Sequence, residues 1–303
     1  MIDVGQGDST IIEQNGHYML IDAGTNACEK DLVSYIDSTY SMPNNNVNSN
    51  LIISYLNVGQ ADSILIENNN EYMLIDAGNN NDGELLVKYF KAKGITEFKY
   101  LIGTHPHEDH IGGLDDIIYN FDINTIYIPD AITTTKTFMD VLDAIEEKNM
   151  TYSVPKINET FTLGEALITV LYTGTDTKDL NNTSIVLRLD FGNTSYLFTG
   201  DATEKTENIL LKDNLNLKAD VLKVGHHGSR FSTTDEFLQK VNPKYAVISV
   251  GKDNNYKHPE DIILKKLKTN NIKIHRTDLE GTIIVTSDGK EIKLKNIDTN
   301  LDG

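Results

Sequence analysis

The chain has 303 residues, of which 39% are apolar and 8% aromatic, a composition typical of one large globular domain or two small ones. Its formal net charge of -18 would repel a phosphate backbone, so only a local basic patch or a divalent metal would allow nucleic-acid binding. A single cysteine, Cys28, excludes a disulfide framework and a thiolate zinc site. No apolar run reaches the roughly 18 residues that cross a bilayer, and the first residues are unlike a signal peptide. We therefore expect a soluble protein, cytoplasmic or cut from a longer extracellular one.

The chain opens with an incomplete duplicate of a later segment. Residues Val4–Ile36 align without gaps to Val58–Phe90, and 19 of the 33 pairs are identical. The first copy runs into the polar stretch "TYSMPNNNVNSN", which is typical of a linker, whereas a repeat architecture needs whole units that continue and stack. The predicted organisation is an incomplete duplicate at 1–36, an Asn-rich linker at 37–50, a hydrolase-type domain at 51–293 and a polar tail at 294–303.

From residue 51 onward, apolar alternation with a period of two predicts strands and a period near 3.6 predicts helices. Strands at "LIISYLNV", "SILIEN" and "YMLIDAG" precede a helix at "DGELLVKYFKAKG", which ends at Gly94, and a strand at "FKYLIGT". Later helices are predicted at "TFMDVLDAIEEKN", "ATEKTENILLKDN", "TTDEFLQKV" and "PEDIILKKLKTN", and later strands at "TSIVLRLD", "TSYLFTGD", "ADVLKVG", "YAVISVG" and "GTIIVTSDG". A meander followed by alternating elements indicates two sheets with helices outside them, a four-layer α/β arrangement.

Three histidines and two acids follow the strand "FKYLIGT", within "THPHEDHIGG". His105, His107, Asp109 and His110 provide the imidazole and carboxylate ligands of a hydrolytic Zn²⁺, Mn²⁺ or Fe site. In an extended segment the first three would point to one side and the last would turn in at the bend. Two ions about 3.5 to 4 Å apart could then share the loop. Pro106 fixes the backbone between the first two ligands, and a solvated polar loop, the alternative, has no need of this spacing.

The H-x-H-x-D-H pattern resembles that of the metallo-β-lactamase superfamily. Further motifs resemble the soluble metallohydrolase domain of the ComEC competence family, which acts in DNA uptake, and its stand-alone relatives. They are "NVGQADS", "LIDAG", "NNTSIVLRL", "LFTGD", "VLKVGHHGS" and "YKHP". The resemblance covers residue 51 to about residue 293 and implies an αββα sandwich of two mixed sheets with outer helices. Two departures are Ala61, where the duplicate has Gly7, and the membrane helices of ComEC proteins, for which this sequence offers no candidate.

The resemblance implies roles for single residues. Asp201 would bridge two metals with its carboxylate, although a helix N-cap paired with Glu204 is an alternative. One of His226 and His227 would complete the second metal's ligands. Neighbouring residues at a strand end point oppositely, so the two cannot share this role. We favour His227 as the ligand and His226 as the residue that faces the substrate phosphate, although the sequence leaves this choice open. Asp76 resembles the acid that accepts a ligand histidine's N–H, with a plain turn aspartate as the alternative.

Substrate contacts are implied for polar residues that follow other strands. Asn182 and Ser229, together with Asn181, would donate to a phosphate or sulfate oxygen. His258 would border the active site, although it also precedes a predicted helix with Pro259 at its start and would then be a surface residue.

The sequence from Ile111 to Gly200 contains no histidine, so the first metal would depend on His105, His107, Asp201 and solvent or substrate. The resemblance thus implies two divalent ions, Zn²⁺ before Mn²⁺ or Fe. Their predicted ligands are His105, His107, Asp109, His110, Asp201 and His227. The predicted catalytic residues are Asp109, Asp201, His226 and His258.

The predicted enzyme is a phosphodiesterase or a nuclease-like hydrolase, in which a metal-bridging hydroxide attacks the phosphodiester and His226 or His258 assists the leaving group. A metal-dependent hydrolase of a lactone, thioester or β-lactam is one alternative. A catalytically idle, metal-stabilised binding module is another. The exact substrate, the metal and the oligomeric state stay open.

Overall fold

The computed structural model describes residues 9–14, 17–23, 50–131, 133–176, 178–213, 215–297 and 301. The chain divides into two compact units, Met1–Val47 and Asn48–Gly303. In the first unit, the described residues form an antiparallel hairpin of strands β1 (Ser9–Gln14) and β2 (His17–Ala23). Most of the predicted linker at 37–50 lies outside the described residues.

The second unit contains two mixed sheets and their helices. Its strands are β3 (Leu51–Tyr55), β4 (Ser63–Asn68), β5 (Glu71–Ala77), β6 (Glu97–Ile102), β7 (Asp122–Tyr127), β8 (Tyr152–Ser153), β9 (Thr160–Leu163), β10 (Ala166–Tyr172), β11 (Val186–Phe191), β12 (Thr194–Phe198), β13 (Val221–Lys223), β14 (Tyr245–Ile248), β15 (Lys273–Arg276), β16 (Thr282–Ser287) and β17 (Ile292–Ile297). Its helices are α1 (Gly83–Ala92), α2 (Glu108–Ile111), α3 (Leu114–Asn120), α4 (Lys136–Glu147), α5 (Glu204–Lys212), α6 (Asp235–Val241), α7 (Asp261–Thr269) and α8 (Thr277–Glu280). Short 3-10 turns occupy Leu180–Thr183 and Gly225–Gly228.

The two sheets have the same plan. The first has the order β17-β16-β3-β4-β5-β6-β7-β8, and the second has the order β15-β14-β13-β12-β11-β10-β9. In each sheet a run of antiparallel strands meets a run of parallel strands, at β5–β6 in the first sheet and at β12–β13 in the second. The parallel strands are joined through helices, as a parallel connection requires.

Helices cover the outer face of each sheet. Against the first sheet, Phe90 of α1 and Val141 of α4 share a buried cluster with Leu74 and Leu101. Amphipathic spacing explains this packing, because the buried positions of α4 recur every three or four residues. Helices thus form the outer layer beside this sheet, and the second sheet has an outer helical layer of its own. The predicted four-layer αββα class is therefore confirmed.

The second sheet is covered by α5, α6 and α7. Leu210, Phe237 and Leu267 of these helices share a buried cluster with Leu197 and Leu222 of the central strands. Strands buried on both faces appear in sequence as nearly continuous apolar runs, which is the pattern of "YLF" and "VLKVG".

The inner faces of the two sheets form the central core. Tyr55 of the first sheet lies 6.3 Å, between ring centroids, from Phe198 of the second, and both side chains are fully buried.

The first sheet also includes residues that the sequence assigned to a polar tail. Strand β17 continues to Ile297, and the Leu301 backbone N–H donates to the Asn57 carbonyl at 2.8 Å. None of the helices in the described ranges has the length and apolar content needed to cross a bilayer.

Deleting residues 1–47 is expected to leave metal binding and turnover unchanged within about two-fold. The unit Asn48–Gly303 already contains β4 and β5, the strands that correspond to the first copy, so that copy has no vacant place in the sheet. The cut also keeps Asn50, whose carbonyl accepts a hydrogen bond from Asn68 Nδ2 at 3.1 Å. Metal content and hydrolysis of the shortened chain test this expectation, and loss of both would show that the first copy is part of the active unit.

Candidate metal centre

The ligand-type side chains meet at one edge of the sandwich, where strands of both sheets end. His105 and His107 follow β6 of the first sheet, Asp201 follows β12 of the second, and His227 follows β13. Carboxyl ends of neighbouring parallel strands open at the same edge of a sheet, which is the usual place for a site in an α/β protein. The fold therefore brings the histidine loop together with residues that lie 94 to 122 positions later in the sequence.

The histidine loop is only partly extended, which corrects one prediction. Helix α2 begins at Glu108, so Asp109 and His110 are helical and do not continue the alternation of His105 and His107. The backbone N–H groups of His110 and Ile111 both donate to the His107 carbonyl, at 3.1 and 3.0 Å. Four residues are too few for a helical period to be recognised in sequence. The turn aims Asp109 and His110 at the second sheet.

His105 and His107 form the first ligand pair. Nε2 of His105 lies 3.1 Å from Nδ1 of His107. The opposite nitrogen of His105, Nδ1, faces the hydroxyl groups of Thr104 and Ser184, at 3.1 and 3.4 Å. Burial, reinforced by nearby His110, holds the pKa of His105 well below its usual value, and burial also lowers the pKa of His107. Both rings are thus favoured in the neutral form that ligates metals.

A second group consists of Asp109, His110, Asp201 and His227, whose ligand atoms all lie within 4.8 Å of one another. Nε2 of His110 lies 3.3 Å from Oδ1 of Asp201, and Nε2 of His227 lies 3.3 Å from Oδ2 of Asp109. These separations join atoms that are not aligned for hydrogen bonds: His110 Nε2, His227 Nε2 and Asp201 Oδ1 are buried without a hydrogen-bond partner. Buried donor atoms that converge without pairing fit a bound cation.

The far side of each ring is held by an acceptor. Nδ1 of His110 donates to Oδ2 of Asp76 at 2.8 Å, and Nδ1 of His227 donates to the Ser249 carbonyl at 2.9 Å. An occupied Nδ1–H leaves the Nε2 lone pair of a neutral ring directed at the group, which is the usual support of a metal-binding histidine. Both rings are fully or almost fully buried, so their orientations are fixed by packing as well.

Asp76 is more than a turn residue. Its carboxylate accepts hydrogen bonds from the Thr104 backbone N–H and hydroxyl, at 2.7 and 2.8 Å, as well as from His110. Its φ of 59° lies in the left-handed region, which Asp adopts more readily than most residues. Asp76 therefore ties the end of β6, where the ligand loop begins, to the ring of His110.

The acids make the second group attractive to a cation. Although burial opposes ionisation, His110 and other histidines hold the pKa of Asp109 and of Asp201 well below the usual range. Burial also disfavours a charged His110, but Asp201, Asp76 and Asp109 outweigh it and raise the pKa of that ring well above its usual value. A proton and a metal ion satisfy the same negative potential, so the two compete for this place.

Metal affinity is therefore expected to rise with pH. The pKa of His227, like that of His110, is raised by the surrounding acids despite burial, so both rings keep a proton to higher pH than a free histidine. Metal binding must displace those protons, and the apparent affinity should increase as the pH rises from about 6 to about 8. Titration calorimetry with Mn²⁺ in buffers of different ionisation enthalpy measures the protons released. An affinity independent of pH would contradict this expectation.

The two adjacent histidines lie in the turn Gly225–Gly228 and not at a strand end, so the alternation used to separate them is wrong. Both adopt left-handed backbone, with φ of 50° for His226 and 52° for His227, a conformation that costs about 1 kcal/mol or more per residue and is typical of functional sites. The turn still separates them. His227 belongs to the second ligand group, whereas His226 is partly exposed, with Nε2 3.7 Å from Asp201 Oδ2. The ligand assignment of His227 stays a prediction.

The helix-cap alternative for Asp201 is wrong. Helix α5 begins at Glu204, and Thr203 holds its N-cap position. Asp201 instead ends buried beside the ligand group, with its backbone N–H donating to the Ser184 hydroxyl at 3.1 Å.

The ligand groups open into a cavity of about 630 Å³. Its walls include Gln60, Asn79, His107, Glu108, Asp109, Asn181, Asp201, His226, His227, Lys252, Asn254, Tyr256 and His258. His258 thus lies in the cavity wall, with its ring 5.7 Å from that of His226, and burial lowers its pKa. The predicted proximity of His258 to the site agrees with this position.

Two predicted substrate contacts lie elsewhere. The Asn182 amide is engaged within the protein: Oδ1 accepts from the hydroxyls of Thr203 and Thr206, and Nδ2 donates to Asp179. Ser229 is buried, and neither residue is among the described residues that line the cavity. Asn181 does line it, and its Oδ1 is buried without a hydrogen-bond partner. Of the three predicted substrate contacts, Asn181 lies in the cavity wall, whereas the predictions for Asn182 and Ser229 do not agree with their positions.

The profile of the family described as "Metallo-beta-lactamase superfamily" matches residues 56–252, more than half of the chain. The chain belongs to the metallo-beta-lactamase superfamily. The residues of its two ligand groups lie within the matched residues, in agreement with the H-x-H-x-D-H resemblance. The superfamily gives the chain the character of a metallohydrolase, as the sequence predicts.

Relatives within the superfamily include competence proteins. The chain is 36% identical over 201 residues to ComE operon protein 3 of Bacillus subtilis, which covers 66% of this chain and 26% of that protein. It is 28% identical over 235 residues to competence protein ComA of Neisseria gonorrhoeae, covering 76% of this chain and 31% of that protein. The predicted resemblance to the ComEC family is confirmed. The chain spans about a quarter to a third of the length of these relatives.

Solved metallo-beta-lactamase structures share the fold. YhfI of Bacillus subtilis, a metallo-beta-lactamase fold protein, superposes with a TM-score of 0.55 and 13% identity, covering 79% of this chain and 100% of YhfI. At this identity the similarity concerns the fold alone.

Sequence reasoning missed two buried charges of this superfamily site, Asp62 and Lys223. The Lys223 ammonium lies 2.7 Å from Asp62 Oδ2, and both residues are at most 1% exposed. A signal was present, because Lys223 is the one cation in the apolar strand "VLKVG" and Asp62 lies in a quoted motif. A charge in a core strand predicts a buried partner, since an unpaired one is costly.

Proposed function

We propose that this chain is a metal-dependent phosphodiesterase. The observation that carries the proposal is the convergence of buried, unpartnered ligand atoms from His110, His227 and Asp201 beside an open cavity that His227 and Asp201 line. A closed structural metal site would surround its ion with protein ligands. Here the ligand group borders a space large enough for a substrate, which supports catalysis over a stabilising role.

The residues fit two divalent ions. His105 and His107 would hold the first, Asp109, His110 and His227 the second, and Asp201 lies beside both groups. Bound divalent ions supply an activated water near neutral pH and neutralise charge on phosphoryl oxygens. The first pair lacks a third histidine, and this incomplete set leaves room for a substrate oxygen.

The cavity walls suit an anionic ester. Lys252 provides a cation, and Asn181 provides an amide. His226 and His258 line the same wall, and their ring N–H groups can donate to the leaving-group oxygen of the ester. Because burial lowers the pKa of His258, that ring is favoured as a neutral hydrogen-bond donor.

The test combines metal analysis with a substrate panel. The full chain, purified after growth with zinc and manganese, is expected to hold two ions and to hydrolyse bis(p-nitrophenyl) phosphate. The panel also contains p-nitrophenyl phosphate, a thioester, a lactone and a chromogenic β-lactam. Metal content well below one ion per chain would refute the metal centre. A lactone, thioester or β-lactam hydrolysed faster than the phosphodiester would identify a different hydrolase, and no turnover with two ions bound would favour a binding module.

A further inference from the structure

Asp62 lies close to three predicted ligands of the second metal ion. They are Asp109, His110 and His227. The Asp62 backbone N–H donates to the Asp109 carbonyl at 3.0 Å. Its carboxylate oxygens lie 3.5 Å from His227 Nδ1 and 4.0 Å from His110 Nδ1. No role in the proposed reaction has been assigned to Asp62, which lies behind the ligands and not in the cavity wall.

Lys223 holds Asp62 in this place across the gap between the two sheets. Asp62 precedes β4 in the first sheet, whereas Lys223 ends β13 in the second, directly before the turn that carries His227. Besides the 2.7 Å contact with Asp62 Oδ2, the ammonium donates to the Val224 carbonyl at 3.1 Å. The ion pair therefore joins the two sheets immediately beneath the ligand group.

Stability alone does not explain these charges. A buried ion pair loses so much hydration that an apolar pair of similar volume is often as stable or more stable. A second metal site at Asp62, Asp76 and His110 does not explain them either, although these acids and the ring lie close together. The Lys223 ammonium already occupies the neighbourhood of Asp62 and would repel a cation there.

One carboxylate oxygen of Asp62 has no hydrogen-bond partner, and its position indicates the role of the residue. Oδ2 faces Lys223, but Oδ1 is buried without a hydrogen-bond partner and lies 3.5 Å from His227 Nδ1, whose N–H donates to Ser249. A carboxylate behind the ring matches the arrangement at His110, where Asp76 holds Nδ1. Each histidine of the second group thus has a buried acid on the side away from the ligand atom.

We infer that Asp62, fixed by Lys223, is a positioning residue. It holds Asp109, His110 and His227 in the relative positions that the second metal ion requires. The inference rests on the proposed function, because it assigns Asp62 a role toward an ion that the proposed function requires. It goes beyond that function because it gives the ion pair between Asp62 and Lys223 a role in orienting the metal ligands, and not in stabilising the core.

The test is Asp62→Asn, which removes the charge and keeps the size. Its affinity for the second Mn²⁺ ion is expected to fall 10- to 100-fold, the usual effect of losing a partner behind a ligand histidine. Calorimetric titration of the metal-free full chain gives the affinities of both ions. The visible spectrum of the Co²⁺-loaded chain gives the ligand geometry, which should change in the variant.

Two further variants separate positioning from stability. Glu67→Gln is the matched control, because Glu67 lies on β4 and pairs with Lys93 at 3.0 Å, away from the ligands; it should leave both metal affinities unchanged. The double variant Asp62→Asn/Lys223→Met has no unpaired buried charge. We expect it to unfold at higher denaturant concentration than Lys223→Met alone and still to bind the second ion weakly. It also provides the affinity measurement if Asp62→Asn does not fold.

Each result decides the matter. Parental affinity and an unchanged Co²⁺ spectrum in Asp62→Asn, or in the double variant, would overturn the inference and leave the proposed function standing. A parent chain with metal content well below one ion per chain would overturn the proposed function and this inference with it, whereas a parent chain that binds only one ion would overturn this inference alone. A weakened second ion in Asp62→Asn and in the double variant, with Glu67→Gln unaffected, supports the inference.

Discussion

Asp201→Ala is expected to abolish hydrolysis of bis(p-nitrophenyl) phosphate, with turnover falling by more than about 100-fold, beyond the 10- to 100-fold loss typical of a residue behind a ligand. Asp201 lies within 3.7 Å of ligand nitrogens on His110 and His227, and it also contributes to the cavity wall. Asp109, the other acid of this group, is itself a predicted ligand, so it does not replace the lost carboxylate.

The same substitution should weaken metal binding without unfolding the chain. The substitution takes a buried carboxylate away from His110 Nε2, while the ring itself stays held by Asp76 at Nδ1. Metal content, turnover and thermal unfolding of the metal-free variant measure the three effects. Glu204→Ala is the control, because it changes an exposed acid in the first turn of α5 and should cost at most a few tenths of a kcal/mol. Near-normal turnover of Asp201→Ala would remove Asp201 from the reaction.

Much of the fold was predictable from periodicity, although the apolar strand β10, "ALITVLY", was not predicted. The apolar face of α4 and the nearly continuous apolar runs of the central strands identify their layers without a structure. Strand β15 was not predicted, because "KIHR" has no apolar pattern and its conformation follows from parallel pairing with β14. Helix α2 was missed for a similar reason: it depends on tertiary contacts such as the hydrogen bond from the Gly112 N–H to the Gly78 carbonyl at 2.9 Å.

The candidate site shows the same division. Residue types and spacing identify the histidine loop, because its density of ligands has no structural purpose in a surface loop. Neighbours in sequence are harder to separate. Asn181 and Asn182 are adjacent and chemically equal, and only the 3-10 turn Leu180–Thr183 directs one to the cavity and the other into the protein. The contact between Asp62 and Lys223 joins residues of two different sheets. The positions of these residues in the sequence do not indicate that they are paired.

Asp76→Asn is expected to lower metal affinity and turnover 10- to 100-fold. The carboxylate accepts three hydrogen bonds, from Thr104 N–H, Thr104 O–H and His110 Nδ1–H. An asparagine keeps only one acceptor oxygen, so its NH₂ group must face another donor at Thr104 or His110. Asparagine tolerates the φ of 59° at this position, so the loss should reflect the ligand ring and not a distorted turn.

The matched control is already in the chain, because Asp22 is the counterpart of Asp76 in the duplicate. Asp22 lies in β2, within the unit Met1–Val47, and no histidine cluster lies between the first copy and the second. Asp22→Asn should therefore leave metal content and turnover as in the parent chain. The shared identities of the two copies allow one other outcome, in which the first copy takes the place of the second in the sheet. Equal losses from both variants, or a loss from Asp22→Asn alone, would show that exchange, whereas loss from Asp76→Asn alone assigns the active unit to Asn48–Gly303.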